Sequence, residues 1–75
     1  MNDKTKLQLA LYIPPEKIKI INDIDDRNLP LGVYKKIRQD KKFKTVIYMF
    51  ENQWNYYLGV DELQLNIKLG NIEVL

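Results

Sequence analysis

The sequence predicts a small α+β domain that is mostly β: an antiparallel sheet or partly open barrel of five to six short strands, with one short helix after the first strand. Three observations predict this class. Apolar residues alternate in two stretches, a central aromatic segment pairs with itself as a hairpin, and a proline pair precedes isoleucines at helical spacing. We expect all 75 residues to form a single domain, because the chain shows no repeat, low-complexity tract or linker.

The first predicted strand covers residues 7–13, where apolar and more polar side chains alternate with the period of a half-buried strand. Its apolar positions are Leu7, Leu9, Leu11 and Ile13. The strand is expected to stop at residues 14–15, which are both proline and therefore lack the amide hydrogen that a sheet uses.

A short helix is predicted after this strand. Proline is tolerated at the first helical position, and Glu16 in the first turn favours the helix dipole. The helix would cover residues 15–24 and bury Ile18, Ile21 and Ile24. Aspartates at its far end oppose the dipole, which predicts that the helix passes into a turn there.

Residues 32–39 fit two structures. Leu31, Tyr34 and Ile37 fall at helical spacing, whereas the β-branched and aromatic content suits a strand that turns near residue 40. We expect a strand, because the glycine at its start and the closeness of the next strand disfavour a helix.

An aromatic hairpin over residues 44–60 is the predicted centre of the fold. A three-residue loop at 51–53 places one set of pairs on one face: Phe50 with Trp54, Tyr48 with Tyr56 and Val46 with Leu58. The other face then pairs Met49 with Asn55, Ile47 with Tyr57 and Thr45 with Gly59. A two-residue loop would scatter the aromatic pairs, since a slip of one residue moves a whole face.

A second hairpin is predicted near the end of the chain. Leu63, Leu65, Ile67 and Leu69 alternate with polar residues, and Gly70-Asn71 is a two-residue hairpin signal. The predicted pairs are Leu69 with Ile72, Ile67 with Val74 and Lys68 with Glu73.

The residue inventory excludes several chemistries. The chain has no cysteine, histidine or serine, so acyl-transfer triads, thiol chemistry and the usual zinc sites lack their groups. Carboxylates leave Mg²⁺ chemistry formally open, but they lie in turn-like surroundings: Asp23, Asp25, Asp26, Asp61 and Glu62. Residues 22–28 begin like a calcium loop but continue without its glycine and glutamate. We therefore expect a non-catalytic protein with no metal and no cofactor.

A basic run is the first candidate for binding. Residues 32–45 hold six basic side chains and one acidic, a local charge of +5 in a chain of net charge +2. The basic residues are Lys35, Lys36, Arg38, Lys41, Lys42 and Lys44. Basic charge beside aromatic rings is typical of single-stranded nucleic-acid binding, and the alternative is that the lysines keep an edge strand unpaired.

A short peptide near the N-terminus is the second candidate. Gln8-Leu9-Ala10-Leu11-Tyr12 resembles the pentapeptide Gln-Leu-Ser/Asp-Leu-Phe by which bacterial replication proteins dock on the sliding clamp. Gln8, Leu9 and Leu11 match, Tyr12 replaces phenylalanine, and Ala10 departs from the usual polar centre. The resemblance implies a replication-associated binder or inhibitor, as small phage proteins often are. The same residues also suit the alternating strand.

The aromatic hairpin is the third candidate, because both its faces are apolar and one short helix can cover only one. The second face is covered either by other strands or by a partner protein, and Tyr and Trp are enriched at protein interfaces. The predicted partner-binding residues are Tyr48, Phe50, Trp54, Tyr56 and Tyr57.

These features favour a small interaction protein that binds and modulates, or inhibits, a larger partner such as the bacterial replication machinery. We expect a homodimer, since chains this short bury only about 60% of their unfolded surface. A nucleic-acid-binding module that uses the basic run is the alternative function. No apolar run approaches the roughly 20 residues of a membrane span, and the N-terminus lacks a signal-peptide pattern, so we expect a cytoplasmic protein.

Overall fold

The computed structural model describes residues 12–75, and this part of the chain forms one open antiparallel sheet of five strands with one helix. The strands are β1 (Lys17–Ile20), β2 (Gly32–Asp40), β3 (Thr45–Phe50), β4 (Trp54–Gly59) and β5 (Ile72–Val74), and helix α1 (Val60–Leu69) joins β4 to β5. The strand order is β4-β3-β2-β1-β5, so β2 is central. A mostly β, antiparallel architecture is confirmed, but the helix follows the fourth strand rather than the first.

The aromatic hairpin forms in the predicted register. β3 and β4 pair Phe50 with Trp54, Tyr48 with Tyr56 and Val46 with Leu58, and residues 51–53 make the turn. Glu51 and Asn52 adopt positive φ values of 55° and 54°, which lets this loop turn without a glycine. The expected strand over residues 32–39 is confirmed as β2, and it pairs with β3 on one side and β1 on the other.

One face of the sheet carries the core. Tyr34 of β2 lies at its centre, with ring centroids 5.0 Å from Phe50 and 5.8 Å from Tyr56. Its hydroxyl donates to the carbonyl of Pro30 at 2.6 Å. The buried apolar cluster joins strand residues to α1 and to the loop between β1 and β2: Ile18, Ile20, Ile24, Leu29, Tyr34, Val46, Tyr48, Leu58, Val60, Leu63 and Ile72.

The predicted helix over residues 15–24 is wrong, because residues 17–20 form strand β1. The alternation of lysine and isoleucine in Lys17–Ile20 places both isoleucines on the core face, where Ile18 and Ile20 are buried. β1 pairs with β2 on one side and β5 on the other, and this two-sided ladder suits β-branched residues better than an isolated helical turn. Ile21, expected inside the helix, is exposed.

The predicted hairpin around residues 70–71 is also wrong, because residues 60–69 form α1. Gly70 has φ 84°, and the amides of Gly70 and Asn71 donate to the carbonyls of Ile67 and Asn66, the pattern that closes a helix C-terminus. The Gly-Asn pair therefore ends a helix, and the pairs expected between residues 67–69 and 72–74 do not form. No helix within residues 12–75 is both long and apolar enough to span a bilayer.

The predicted first strand over residues 7–13 lies outside the described residues, except for its last two positions. Tyr12 and Ile13 belong to no strand. The chain from Tyr12 then passes over β3, where the Tyr48 hydroxyl donates to the carbonyl of Pro15 at 2.8 Å.

Candidate functional site: the open face of the sheet

The face of the sheet opposite the core carries an uncovered set of cationic and apolar side chains, which we call the open face. Strand alternation and register place its members together, because each neighbours or opposes a residue of the same face. The members are Lys17, Lys19, Val33, Lys35, Arg38, Ile47, Met49, Tyr57 and Glu73, the last of which lies opposite Lys19. All are exposed except Met49, which is half-buried, and Ile47, which is buried between Arg38 and Tyr57 in the register.

A β-bulge brings two cations of β2 onto this face. Lys35 lies opposite Met49 and Arg38 lies opposite Ile47, so three steps along β2 match two steps along β3. The irregularity lies between Lys36 and Arg38, which leaves Ile37 as the extra residue. Strict alternation would put Lys35 and Arg38 on opposite faces, and the bulge re-aims Arg38 to the same side.

The register also places two lysines directly opposite each other. Lys17 of β1 and Lys35 of β2 are cross-strand partners, and Lys19 lies two residues along β1 on the same face. Like charges in this position destabilise a sheet. The ion pairs among residues 12–75 are Arg27 with Glu62 and Lys36 with Glu16, and neither includes a cation of the open face.

A shallow hollow lies among these side chains. The residues that line it are Lys17, Val33, Lys35 and Met49, together with Glu51 and Asn52 of the β3–β4 turn. Tyr57, on β4 opposite Ile47, is 58% exposed at the far side of the face. The open face therefore combines cations, an apolar floor and one accessible ring.

The predicted basic run is divided by the structure. Lys35 and Arg38 lie on the open face, but Lys36 points to the core face, where its Nζ lies 3.0 Å from Glu16 Oε1 and 3.3 Å from the carbonyl oxygen of Pro14. The remaining three, Lys41, Lys42 and Lys44, lie in the β2–β3 turn. Sequence reasoning missed Lys17 and Lys19, and the signal that could have found them is the Lys-Ile-Lys-Ile alternation of β1.

The five aromatic residues expected to contact a partner separate into two groups. Tyr48 is fully buried, and its burial raises the pKa of its hydroxyl. Phe50 and Tyr56 are half-buried and pack against Tyr34. Burial raises the pKa of the Tyr34 hydroxyl to about 12. Trp54 and Tyr57 are exposed, and they lie on opposite faces of β4. The hairpin is therefore mainly a core element, with two rings left at the surface.

Most of the acidic residues considered for metal chemistry lie around the start of α1 and the loop before β2. Glu62 accepts from Arg27 at 2.6 Å and from the backbone amide of Gly59 at 3.3 Å. Burial and a hydrogen bond with Asp25 raise the pKa of Glu62, although Arg27 and the Gly59 amide act in the opposite direction. Within residues 12–75 no group of three acidic side chains is arranged to hold a metal ion.

The clamp-type peptide lies outside the described residues except for Tyr12. This ring is half-buried and packs against the core cluster, and burial raises the pKa of its hydroxyl. In a docking peptide the Tyr12 ring would contact the partner protein, whereas here it contacts the core of its own chain.

Comparisons with known proteins yield no relative of this chain. No protein-family model matches it, and neither a curated protein nor a solved structure is significantly similar.

Proposed function

We propose that this protein is a non-catalytic binding module whose open face holds the backbone of a single-stranded nucleic acid. The observation that supports it best is the set of four cations on one side of the sheet, Lys17, Lys19, Lys35 and Arg38, none of them in an ion pair within residues 12–75. Two carboxylates lie near these four cations, Glu73 opposite Lys19 and Glu51 at the hollow, and phosphates would supply the remaining counter-charge.

The location of these cations argues against a purely protective role. Lysines that prevent strand pairing belong at the edges of a sheet. Lys17 and Lys19 lie on β1, between β2 and β5, and Lys35 lies where β2 pairs with both β1 and β3. Lysines opposite each other on interior strands lower the stability of the sheet and do not protect an edge. Such a cost is expected where the residues serve to bind an anion.

The dimensions and chemistry of the face suit a short single strand. At about 3.3 Å per residue, the cations and the β2–β3 turn span about 25 Å along β2, which is enough for a site of about 4 nucleotides. Met49 and Val33 offer an apolar floor beside the charges, and Tyr57 offers a ring face for stacking.

The salt dependence of binding tests this proposal. A fluorescent oligothymidylate should bind the protein at low salt, and log affinity should fall linearly with log salt concentration. Lys35→Gln should weaken binding and reduce that slope by about 0.7, the value for one lost phosphate contact on a single strand. Anisotropy titrations at several salt concentrations give both quantities.

Lys68→Gln is the matched control, because it removes the same charge from an exposed position on α1, the helix packed against the core face. Its salt slope should equal that of the wild type. Lys35→Gln also relieves the repulsion from Lys17, so its unfolding free energy should be unchanged or slightly higher, and weaker binding would not reflect unfolding. No binding by the wild type, or equal effects of the two variants, would disprove the proposal.

A second candidate function is association through the first half of β4, with another copy of this chain or with a larger protein. Trp54 supports it: this ring is 55% exposed at the start of an edge strand, and buried tryptophans are frequent energetic centres of protein interfaces. In the second half of β4, Arg27 and Glu62 already occupy the Tyr57 carbonyl and the Gly59 amide. Association would therefore use the end of β4 that carries Trp54.

A further inference from the structure

The β2–β3 turn, residues 41–44, is held in one conformation by its neighbours. Asp40 Oδ1 accepts from the backbone amides of Lys42 and Phe43 at 3.1 and 3.2 Å, and Thr45 Oγ1 donates to the Phe43 carbonyl at 2.9 Å. The Lys44 carbonyl accepts from the amide of Val60, the first residue of α1, at 2.8 Å. The backbone that carries Phe43 is therefore fixed from both ends of the turn.

The Phe43 ring itself is turned to solvent. Phe43 is 69% exposed and lies outside the core cluster, and the side-chain nitrogen of Lys42 lies 5.5 Å from the ring centroid. Lys41 and Lys44 also lie within two residues of Phe43 in the sequence, so the turn that carries this accessible ring holds three lysines. A single exposed apolar residue is ordinary on a protein surface, but an exposed ring on a hydrogen-bonded turn that carries three lysines has the features of a stacking platform for bases.

The turn continues the open face along β2. Arg38 lies opposite Ile47, and the next pair on the same face is Asp40 with Thr45, which leads directly into the turn. A strand bound along the cations of the open face would reach Phe43 at its end, beyond Arg38.

We propose that Phe43 stacks on an unpaired base at this end of the open face, while the lysines of the turn contact the adjacent phosphates. The inference rests on the proposed function and adds to it a defined contact with a base. Every base has a π face, so this contact carries little sequence preference and requires the base to be unstacked from a duplex partner. The ligand is therefore single-stranded at this position.

The first test compares two ligands of equal length, an oligothymidylate and an abasic oligonucleotide that retains the phosphates but has no bases. Phe43→Ala should weaken oligothymidylate binding by about 5- to 150-fold, the loss expected for one base–aromatic stack, and leave the salt slope unchanged. Affinity for the abasic ligand should not change. Leu69→Ala is the control, because it removes an exposed apolar side chain at the end of α1 that lies away from the turn.

The second test observes the stack directly. Phe43→Trp in a Trp54→Phe background leaves one tryptophan, at the turn, and its fluorescence should be quenched by oligothymidylate but not by the abasic ligand. Equal binding of oligothymidylate by wild type and Phe43→Ala, or equal weakening for both ligands, would overturn the stacking inference and leave the proposed function standing. Wild-type protein that binds neither ligand would overturn both.

Discussion

Gly32 begins β2 with a φ of 139°, a conformation that residues with a side chain rarely adopt. A Cβ at this position would lie 2.9 Å from Cε2 of Phe50, whose ring packs on Tyr34 in the core. Gly32→Ala should therefore lower the free energy of unfolding by at least the roughly 1–3 kcal/mol of backbone strain. Urea denaturation monitored by tryptophan fluorescence measures this change in the free energy of unfolding.

Gly70→Ala separates backbone strain from steric clash. Gly70 also has a positive φ, 84°, but a Cβ there would meet no atom within 4 Å among the residues described. Gly32→Ala should lower the free energy of unfolding more than Gly70→Ala does. An equal or smaller decrease for Gly32→Ala would show that the Phe50 ring moves aside without cost.

At the residue scale, the sequence singled out Lys35 and Arg38 as candidate binding residues but did not predict that they share a face. Strict alternation would put Lys35 and Ile37 on one face of β2 and Lys36 and Arg38 on the other. No local sequence pattern marks the bulge that changes this arrangement. Lys36, another candidate of the basic run, forms an ion pair with Glu16, and this contact depends on β1 lying beside β2. Contacts between distant segments decide which cations stay free.

At the element scale, local signals succeeded where both partners were adjacent in sequence. The β3–β4 hairpin was predictable because one short loop allows one register that segregates the two faces. The prediction for residues 63–69 was wrong, because Leu63, Leu65, Ile67 and Leu69 alternate with the period of a strand, and the four do not fall on one face of a helix. In the helix, Leu63 is buried and Ile67 half-buried, whereas Leu65 and Leu69 are exposed.

The N-terminus of α1 gives a pH-dependent prediction. Burial and Asp25 raise the pKa of Glu62 above its ordinary 4.5, so the folded protein keeps a proton that the unfolded chain loses. The free energy of unfolding should consequently fall as the pH rises from the ordinary pKa of Glu62 through the raised value. Glu62→Gln cannot titrate, so its stability relative to the wild type should rise over that same interval.

Chemical denaturation of both proteins from about pH 4 to about pH 8 measures this difference. Arg27 stays protonated throughout, and its attraction for ionised Glu62 is already part of the balance that sets the Glu62 pKa. A stability difference that stays constant over the interval would contradict the raised pKa of Glu62.

At the scale of the whole molecule, the strand order depends on pairings that no local pattern specifies. β1 pairs with β5, more than 50 residues later in the chain, and α1 carries the chain from one edge strand of the sheet to the other. Isoleucines of β1 and Ile72 of β5 complete the core only through this connection. The alternating apolar residues and the aromatic hairpin predicted a mostly β domain, but nothing local to residues 17–20 specifies β2 and β5 as the partners of β1.

The same arrangement leaves β4 as an edge strand, and self-association there is a property of the whole molecule. If Trp54 is buried between two copies, the wild type should sediment at twice the 9.0 kDa chain mass at micromolar concentration, and Trp54→Ala should sediment as a monomer. Phe43→Ala is the control, because it removes an exposed ring from the β2–β3 turn and should leave the sedimentation coefficient of the wild type. Wild-type protein that remains monomeric throughout, or a dimer that persists in Trp54→Ala, would exclude this interface, and nucleic-acid binding by such a protein would then be the property of a single chain.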